Sequence, residues 1–380
     1  MPVTVPLLLN PASGVLPYDY SESFRTILLG FLIASYPVAS FFGGPMLGAL
    51  ADKYGRKRLL MLSLVGSMIG YLIFALGIYW QSIYLLFLSR LIDGFSGGNI
   101  SIVQAAIADI SDDSSKAKNF GLIGLAFGVG FVIGPFIGGK LSDPSLVSWF
   151  NYDTPFLFAA FLCLVNFGLV VRNFEETLES PVHRPVNAFT GINNLKQALS
   201  DLRIRALFAA VFFYHLGFSF FTQFFQVYLV KRFSYTQSEI GNYFAYIGLC
   251  IALVQGIVVR RLAVRFPSKQ ILRYSLPGLA VALFCMLLPQ NGWQLYIVSP
   301  FIALFQGSSA PNSTSLVSQN APRGEQGKML GINQSVLSVG LAVPPILAGF
   351  FDSIDVRLPI IAASISVMTG WLLMLRFLKK

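Results

Sequence analysis

The chain has 380 residues, 55% of them hydrophobic and only 12% charged, with a formal charge of +10. A soluble domain carries about 25% charged residues, so a water-facing surface for a chain of this size is excluded. The positive balance would suit nucleic acid. However, the basic residues fall in short runs between apolar blocks and form no single basic face, so they read as membrane topology and not as a nucleic-acid site.

The apolar residues come in blocks of about 20, the length that crosses roughly 30 Å of hydrocarbon. Backbone in lipid must bond to itself, so each block is expected as a helix. Residues 1–9 form an apolar stub. At about 1.5 Å per residue it is too short to cross, and it lacks the length and basic flank of a signal peptide. It reads as the outer half of a first span whose inner half is missing. Full spans are expected at 26–50, 59–79, 82–108, 120–140, 154–172, 204–230, 239–260, 271–289, 294–318, 329–350 and 358–377. The longest polar stretch, 173–203, holds Glu175, Glu176, Pro181 and Pro185 and then an amphipathic run at 192–202. It reads as a cytoplasmic linker between an N-terminal bundle at 1–172 and a C-terminal bundle at 204–380.

Placing the turn that holds Lys53, Arg56, Lys57 and Arg58 in the cytoplasm puts most of the 27 basic residues on that side. Arg25, Lys140, Lys231, Arg232 and Arg357 fall opposite, and the C-terminus falls inside. The halves also repeat. Displaced by 210 positions, Phe95-Ser96-Gly97 falls on Phe305-Gln306-Gly307, Pro135 on Pro345 and Gly139 on Gly349. Helical repeats about a linker are a pattern of secondary transporters, with the substrate between the halves.

Within the turn at 44–58, Gly44 and Gly48 share a helix face where small residues allow close contact. Gly55 permits a backbone turn that a side chain opposes, and Asp52 at a helix end can accept bonds from an arginine or a helix N-terminus. In the fifth of these spans, counting the stub as part of the first, Gly124 with Gly128, and Gly130, Gly134 and Gly138 in series, are spaced by four. With Pro135 and Gly139 they make a smooth, bent groove. Arg90 and Asp93 lie three apart inside the fourth span, where charge is costly and usually functional. A balanced pair of this kind can exchange a proton, or it can simply orient helices. His215 in the seventh span is a proton relay, a substrate ligand or a packing residue. Gln223, Gln226, Asn242, Gln306 and Asn333 are candidates to line a substrate cavity or to bond between helices. The Phe-rich run 218–225 offers an aromatic wall to an apolar ligand, or faces lipid. No phosphate loop, metal-ligand cluster or nucleophile–His–acid set is present. Cys163, Cys250 and Cys285 lack ligand spacing and read as buried thiols, so neither an enzyme nor direct ATP use is indicated.

The turn at 44–58 resembles the signature loop of the major facilitator superfamily, between its second and third helices. The resemblance implies an all-α membrane protein of two pseudo-symmetric six-helix bundles, here with the first helix truncated. It implies a conformational latch of Gly48, Asp52, Gly55 and Arg56, with Asp109 as the partner of Arg56. The matching stretch 261–269 has Val264 where the aspartate would be, so a second latch is not expected. The glycine series resembles the antiporter signature of the drug:proton branch, and Arg90 matches the family's membrane arginine, implicated in proton coupling. The segment from Ala108-Asp109-Ile110 to Asn119-Phe120-Gly121 is similar to the tetracycline and multidrug efflux branch. That branch uses membrane carboxylates for metal-chelated tetracycline, whereas the spans here contain almost no acid besides Asp93, and 271–289 contains none.

The expectation is therefore a secondary transporter of the inner membrane, exporting a small, partly apolar compound. The proton gradient would supply the energy, with no bound cofactor or metal. Its partners would be substrate, protons and lipid, with no nucleic acid, and it would act as a monomer. The alternatives are an importer of a sugar, siderophore or peptide on the same fold, and a non-transporting or decayed membrane protein.

Overall fold

Helix is the only regular structure among the described residues, as backbone in hydrocarbon requires. This computed structural model describes residues 3–111, 116–178, 189–200, 204–320 and 326–378. Pro181 and Pro185 lie outside them, as do the side-chain surroundings of Asn119, Phe120, Gly121, Gly124, Gly128 and Val264. In chain order the helices are α1 Thr4–Leu9, α2 Glu22–Tyr54, α3 Arg56–Tyr79, α4 Ile83–Gly97, α5 Ile100–Asp109, α6 Lys116–Leu141, α7 Thr154–Asn173, α8 Thr190–Ser200, α9 Arg205–Phe233, α10 Gln237–Leu253, α11 Arg260–Arg265, α12 Ser268–Cys285, α13 Gly292–Gln319, α14 Gln326–Ile354 and α15 Leu358–Leu378. A π-helical stretch, Val254–Val259, joins α10 to α11.

Among the described residues, seven helices are long and apolar enough to cross a membrane: α2, α3, α7, α9, α10 continued to Val259, α14 from Gly331 and α15 as far as Phe377. Their outward faces carry exposed Phe161, Leu164 and Ile365, apolar surface that suits lipid and not water. The span expected at 82–108 is two helices. α4 gives way to α5 at Gly98 and Asn99, where a side chain on Gly98 would strike the backbone of Gly43 and Gly44 in α2. The span expected at 294–318 is one helix, α13, whose Gln306, Ser308, Ser309, Asn312 and Ser313 are buried.

Local chemistry sets several helix starts. The Ser21 hydroxyl accepts the Phe24 N–H at 3.2 Å, and Thr236 with Glu239 forms a reciprocal capping box at α10. Arg25, near the start of α2, is buried. It donates to the carbonyls of Leu8, Pro17 and Tyr20 at 3.2, 2.6 and 3.2 Å, tying α1 and the following loop onto α2.

In the first half α2 packs on α3 and α4, and α3 packs on α7; in the second, α9 packs on α14 and α15, and α12 on α13 and α15. The halves meet along two seams, α2 on α14 and α6 on α10. A shift of 210 positions carries α6 onto α14 and α2 onto α10 with its continuation, so the internal repeat exchanges the two seams. At one seam Gly30 lies against the Pro345 backbone and Gly349 against Ile27; at the other Gly139 and Gly241 meet, with the Pro135 carbonyl beside Gly241. The repeated pairs Pro135/Gly139 and Pro345/Gly349 thus occupy equivalent places, where missing side chains allow backbones to touch.

Candidate functional site

The latch turn is built on Gly55, whose φ of +102° is a left-handed-region value that disfavours a side chain. It sets α3 running back along α2. Arg56, the first residue of α3, is buried and holds two carboxylates. Its Nη1 donates to Asp52 Oδ1 at 2.5 Å and its Nε to Asp109 Oδ2 at 3.1 Å, joining α2, α3 and α5. Glu176, just past α7, completes the arrangement. Its Oε1 accepts the Arg56 N–H at 2.8 Å and its Oε2 the Lys57 N–H at 3.1 Å, capping otherwise unpaired donors at the N-terminus of α3. Thr177 Oγ1 also donates to Asp109 Oδ2 at 3.1 Å. Gly48 faces α5, where Ser101 Oγ donates to the Gly44 carbonyl at 2.9 Å. The sequence placed Glu176 in the linker and assigned it no role.

Arg90 and Asp93 face each other on α4, with Arg90 Nη2 and Asp93 Oδ2 3.5 Å apart. Arg90 Cζ lies 4.6 Å from the Phe74 ring centre and 5.8 Å from that of Phe156. Stacked rings therefore cover part of the charge. On its other side Arg90 borders a cavity of about 890 Å³ between α3, α4, α6 and α7, with Val3 also in its lining. Gly130, Gly134 and Gly138 also border it, and a side chain built on any of the three would meet open space. The glycine helix therefore has two faces: Gly139 seals the seam with α10, while the Gly130–Gly134–Gly138 face lines the cavity beside the arginine.

A second cavity, of about 440 Å³, lies between the halves toward the latch end. Ser40 of α2, Gln104 of α5, Asn194 of α8 and Gln334, Ser335 and Ser338 of α14 supply its polar lining, and no charged side chain lines it among the described residues. Asn194 Nδ2 donates to Ser335 Oγ at 3.1 Å, so the linker helix forms one wall. The candidates Gln223, Gln226, Asn242, Gln306 and Asn333 lie elsewhere. Gln223 donates to Ser219 Oγ at 2.5 Å and to the Leu341 carbonyl at 2.9 Å, and Gln306 accepts from the Tyr214 hydroxyl at 2.9 Å. Gln226 and Asn333 are buried, and Asn242 is exposed on α10. His215 packs beside Tyr214 and Gly340, between α9 and α14. The Phe-rich run neither walls the cleft nor faces lipid as a unit. Phe220, Phe221, Phe224 and Phe225 are buried inside the second half, with Phe220 stacked on Phe351 and Phe225 beside Tyr243.

Two helical bundles joined on two seams around a polar cleft, with a charge-locked turn at one end, define a membrane transporter of the two-bundle type. The chain belongs to the Major Facilitator Superfamily, whose family model matches residues 7–345 and 261–380; it is a transporter and not an enzyme. It is 28% identical to the class C tetracycline resistance protein of Escherichia coli over 84% of this chain and 78% of that protein. It is 25% identical to multidrug resistance protein 2 of Bacillus subtilis (strain 168), over 90% of this chain and 84% of that one. A crystallised D-xylose–proton symporter shares the fold, with a TM-score of 0.78 at 16% identity, covering 99% of this chain and 94% of the symporter.

Proposed function

We propose that the protein exports a small, partly apolar, uncharged compound across the inner membrane in exchange for protons, by alternating access. The observation that carries this reading is the 440 Å³ cavity shared by both halves, lined by hydroxyl and amide groups on an apolar wall without a charged side chain among the described residues. Pockets for small molecules have this size and this sparse polarity. The direction rests on relatives named for tetracycline and multidrug resistance. The coupling site is Arg90 with Asp93, a buried pair beside a large cavity. One proton moving down a membrane potential of about 100 mV supplies roughly 2.3 kcal/mol, enough for tens-fold accumulation. The latch end is cytoplasmic, as is the C-terminus. The bundles are 1–172 and 204–380 about the linker 173–203, and the working unit is a monomer.

The test is uptake into everted vesicles of uncharged, partly apolar compounds, with labelled chloramphenicol as first probe. Accumulation is expected to disappear when the proton gradient is dissipated and in Arg90→Ala. Accumulation that persists in both cases removes the coupling. An importer, the second reading on this fold, would accumulate its substrate in right-side-out vesicles instead.

A further inference from the structure

The second half carries a basic surface at its latch end that the transport reading does not use. The 210-residue repeat carries α2 onto α10 with its continuation and α3 onto α12, so the turn between α10 and α12 stands where the latch turn stands in the first half. It holds Arg261 and Arg265 on α11 and Lys269 and Arg273 on α12, and all four are exposed. In the latch turn Arg56 is held by Asp52 and Asp109. Here no Asp or Glu occurs from 240 to 324, and none of the four cations is in an ion pair among the described residues. Clustered cations without carboxylates make a field that attracts anions.

Beside these cations is an apolar slot. A cavity of about 280 Å³ lies between α11, α12 and α13, and Leu262, Phe266, Gln270, Tyr274, Leu304 and Phe305 are among its lining. Its volume falls just below the range of pockets that enclose whole small molecules, so it suits a single apolar chain whose head stays outside. Arg265 immediately precedes Phe266, and Lys269 and Arg273 immediately precede Gln270 and Tyr274, so three of the cations adjoin the lining. Phe266 and Tyr274 are themselves exposed, at 40% and 66%, so the slot reaches the surface of the bundle. The aromatic residues mark the level as a membrane boundary: Trp371 Nε1 of α15 donates to the Arg273 carbonyl at 2.9 Å beside Tyr274, and Trp and Tyr favour the interface between hydrocarbon and water.

We propose that this face binds one anionic phospholipid from the leaflet on the latch side, with its phosphate on Arg265, Lys269 and Arg273 and part of an acyl chain in the slot between α11, α12 and α13. Basic pockets between membrane helices recognise such headgroups. Charge and slot act together. Free phosphate would use the cations without the slot, whereas a zwitterionic lipid would fill the slot and bring no net charge to the cations. Binding requires neither transport nor a proton, so the proposal is independent of the export reading.

The test uses the purified full chain in neutral detergent, given equal amounts of phosphatidylglycerol and phosphatidylcholine with matched acyl chains and examined by native mass spectrometry. One phosphatidylglycerol per chain is expected, preferred about tenfold or more over phosphatidylcholine, since each nearby cation strengthens binding by roughly fivefold. The triple variant Arg265→Gln, Lys269→Gln, Arg273→Gln is expected to lose the preference. Leu262→Trp fills the slot, leaves every cation in place and is expected to weaken retention of phosphatidylglycerol about fivefold. Arg172→Gln with Arg205→Gln, which removes two other exposed cations, keeps the preference. Inorganic phosphate displaces the lipid no more than sodium chloride of the same ionic strength. The proposal is overturned by equal retention of the two lipids, by a loss in the Arg172 and Arg205 variant as large as in the triple variant, by unchanged retention in Leu262→Trp, or by displacement with phosphate beyond the salt control.

Discussion

Glu176 caps the helix that begins at Arg56, 120 residues away in sequence, by accepting its N–H at 2.8 Å. The last helix of the first half is thereby fastened to the latch turn, and through Asp52 and Asp109 to α2 and α5. That turn is thus tied to α2, to α5 and to the segment after α7, all of them parts of the first half.

This cap has a pH signature. Partial burial works against ionisation of Glu176, but the N–H groups of Leu178, Arg56 and Lys57 outweigh it and hold the carboxyl below its usual range. A depressed pKa contributes stability above the unfolded value of about 4.3, and that contribution is lost as pH falls through the lower folded value. Glu176→Ala is therefore expected to cost about 1 kcal/mol at pH 7. The difference in thermal midpoint from the parent should shrink progressively as pH falls below about 4. A difference that is unchanged down to pH 3 would show that the carboxylate is not the cause.

The glycines of α6 are expected to separate by face. At Gly139 a side chain would meet the backbone of Gln237 and Gly241, whereas at Gly130 it would meet open space. Gly139→Val is expected to cost about 1–3 kcal/mol by overpacking the seam and to abolish transport, while Gly130→Ala leaves folding and transport near the parent level. Melting curves and vesicle uptake read both. Equal damage from the two substitutions would contradict the two-faced helix.

In the cleft, Gln104→Ala and Ser335→Ala each remove one hydrogen-bonding group from the cavity wall. The loss is about 0.5–1.5 kcal/mol per bond to substrate, so KM should rise by about two- to tenfold. Asn242→Ala, which changes a surface residue of α10, should leave KM unchanged. Initial uptake rates across a substrate series measure all three.

What could be read from the sequence is what is local or periodic. Asp52, Gly55 and Arg56 lie within one turn of each other, so the latch is nearly a contiguous string. The 210-residue repeat pairs Pro135 with Pro345 and Gly139 with Gly349, and these pairs lie on the two seams. What could not be read depends on how the helices pack. Glu176 comes from beyond the opposite end of the bundle's sequence. Gln104 and Ser335 look like any polar residue of an apolar helix, and Asn194 like any polar residue of an amphipathic one, until three helices bring them together. The Phe-rich run misled for a related reason. Lipid is as apolar as a helix interface, so composition does not tell a residue facing hydrocarbon from one facing a neighbour; Phe221 and Phe225 turned out to face each other.

The most direct measurement for the central claim is paired flux in proteoliposomes, with substrate and internal pH followed together under an imposed proton gradient. The account predicts that each substrate pulse moves protons the opposite way, and that Arg90→Ala abolishes both movements while the protein remains folded. Substrate movement against its gradient with no proton movement would contradict it.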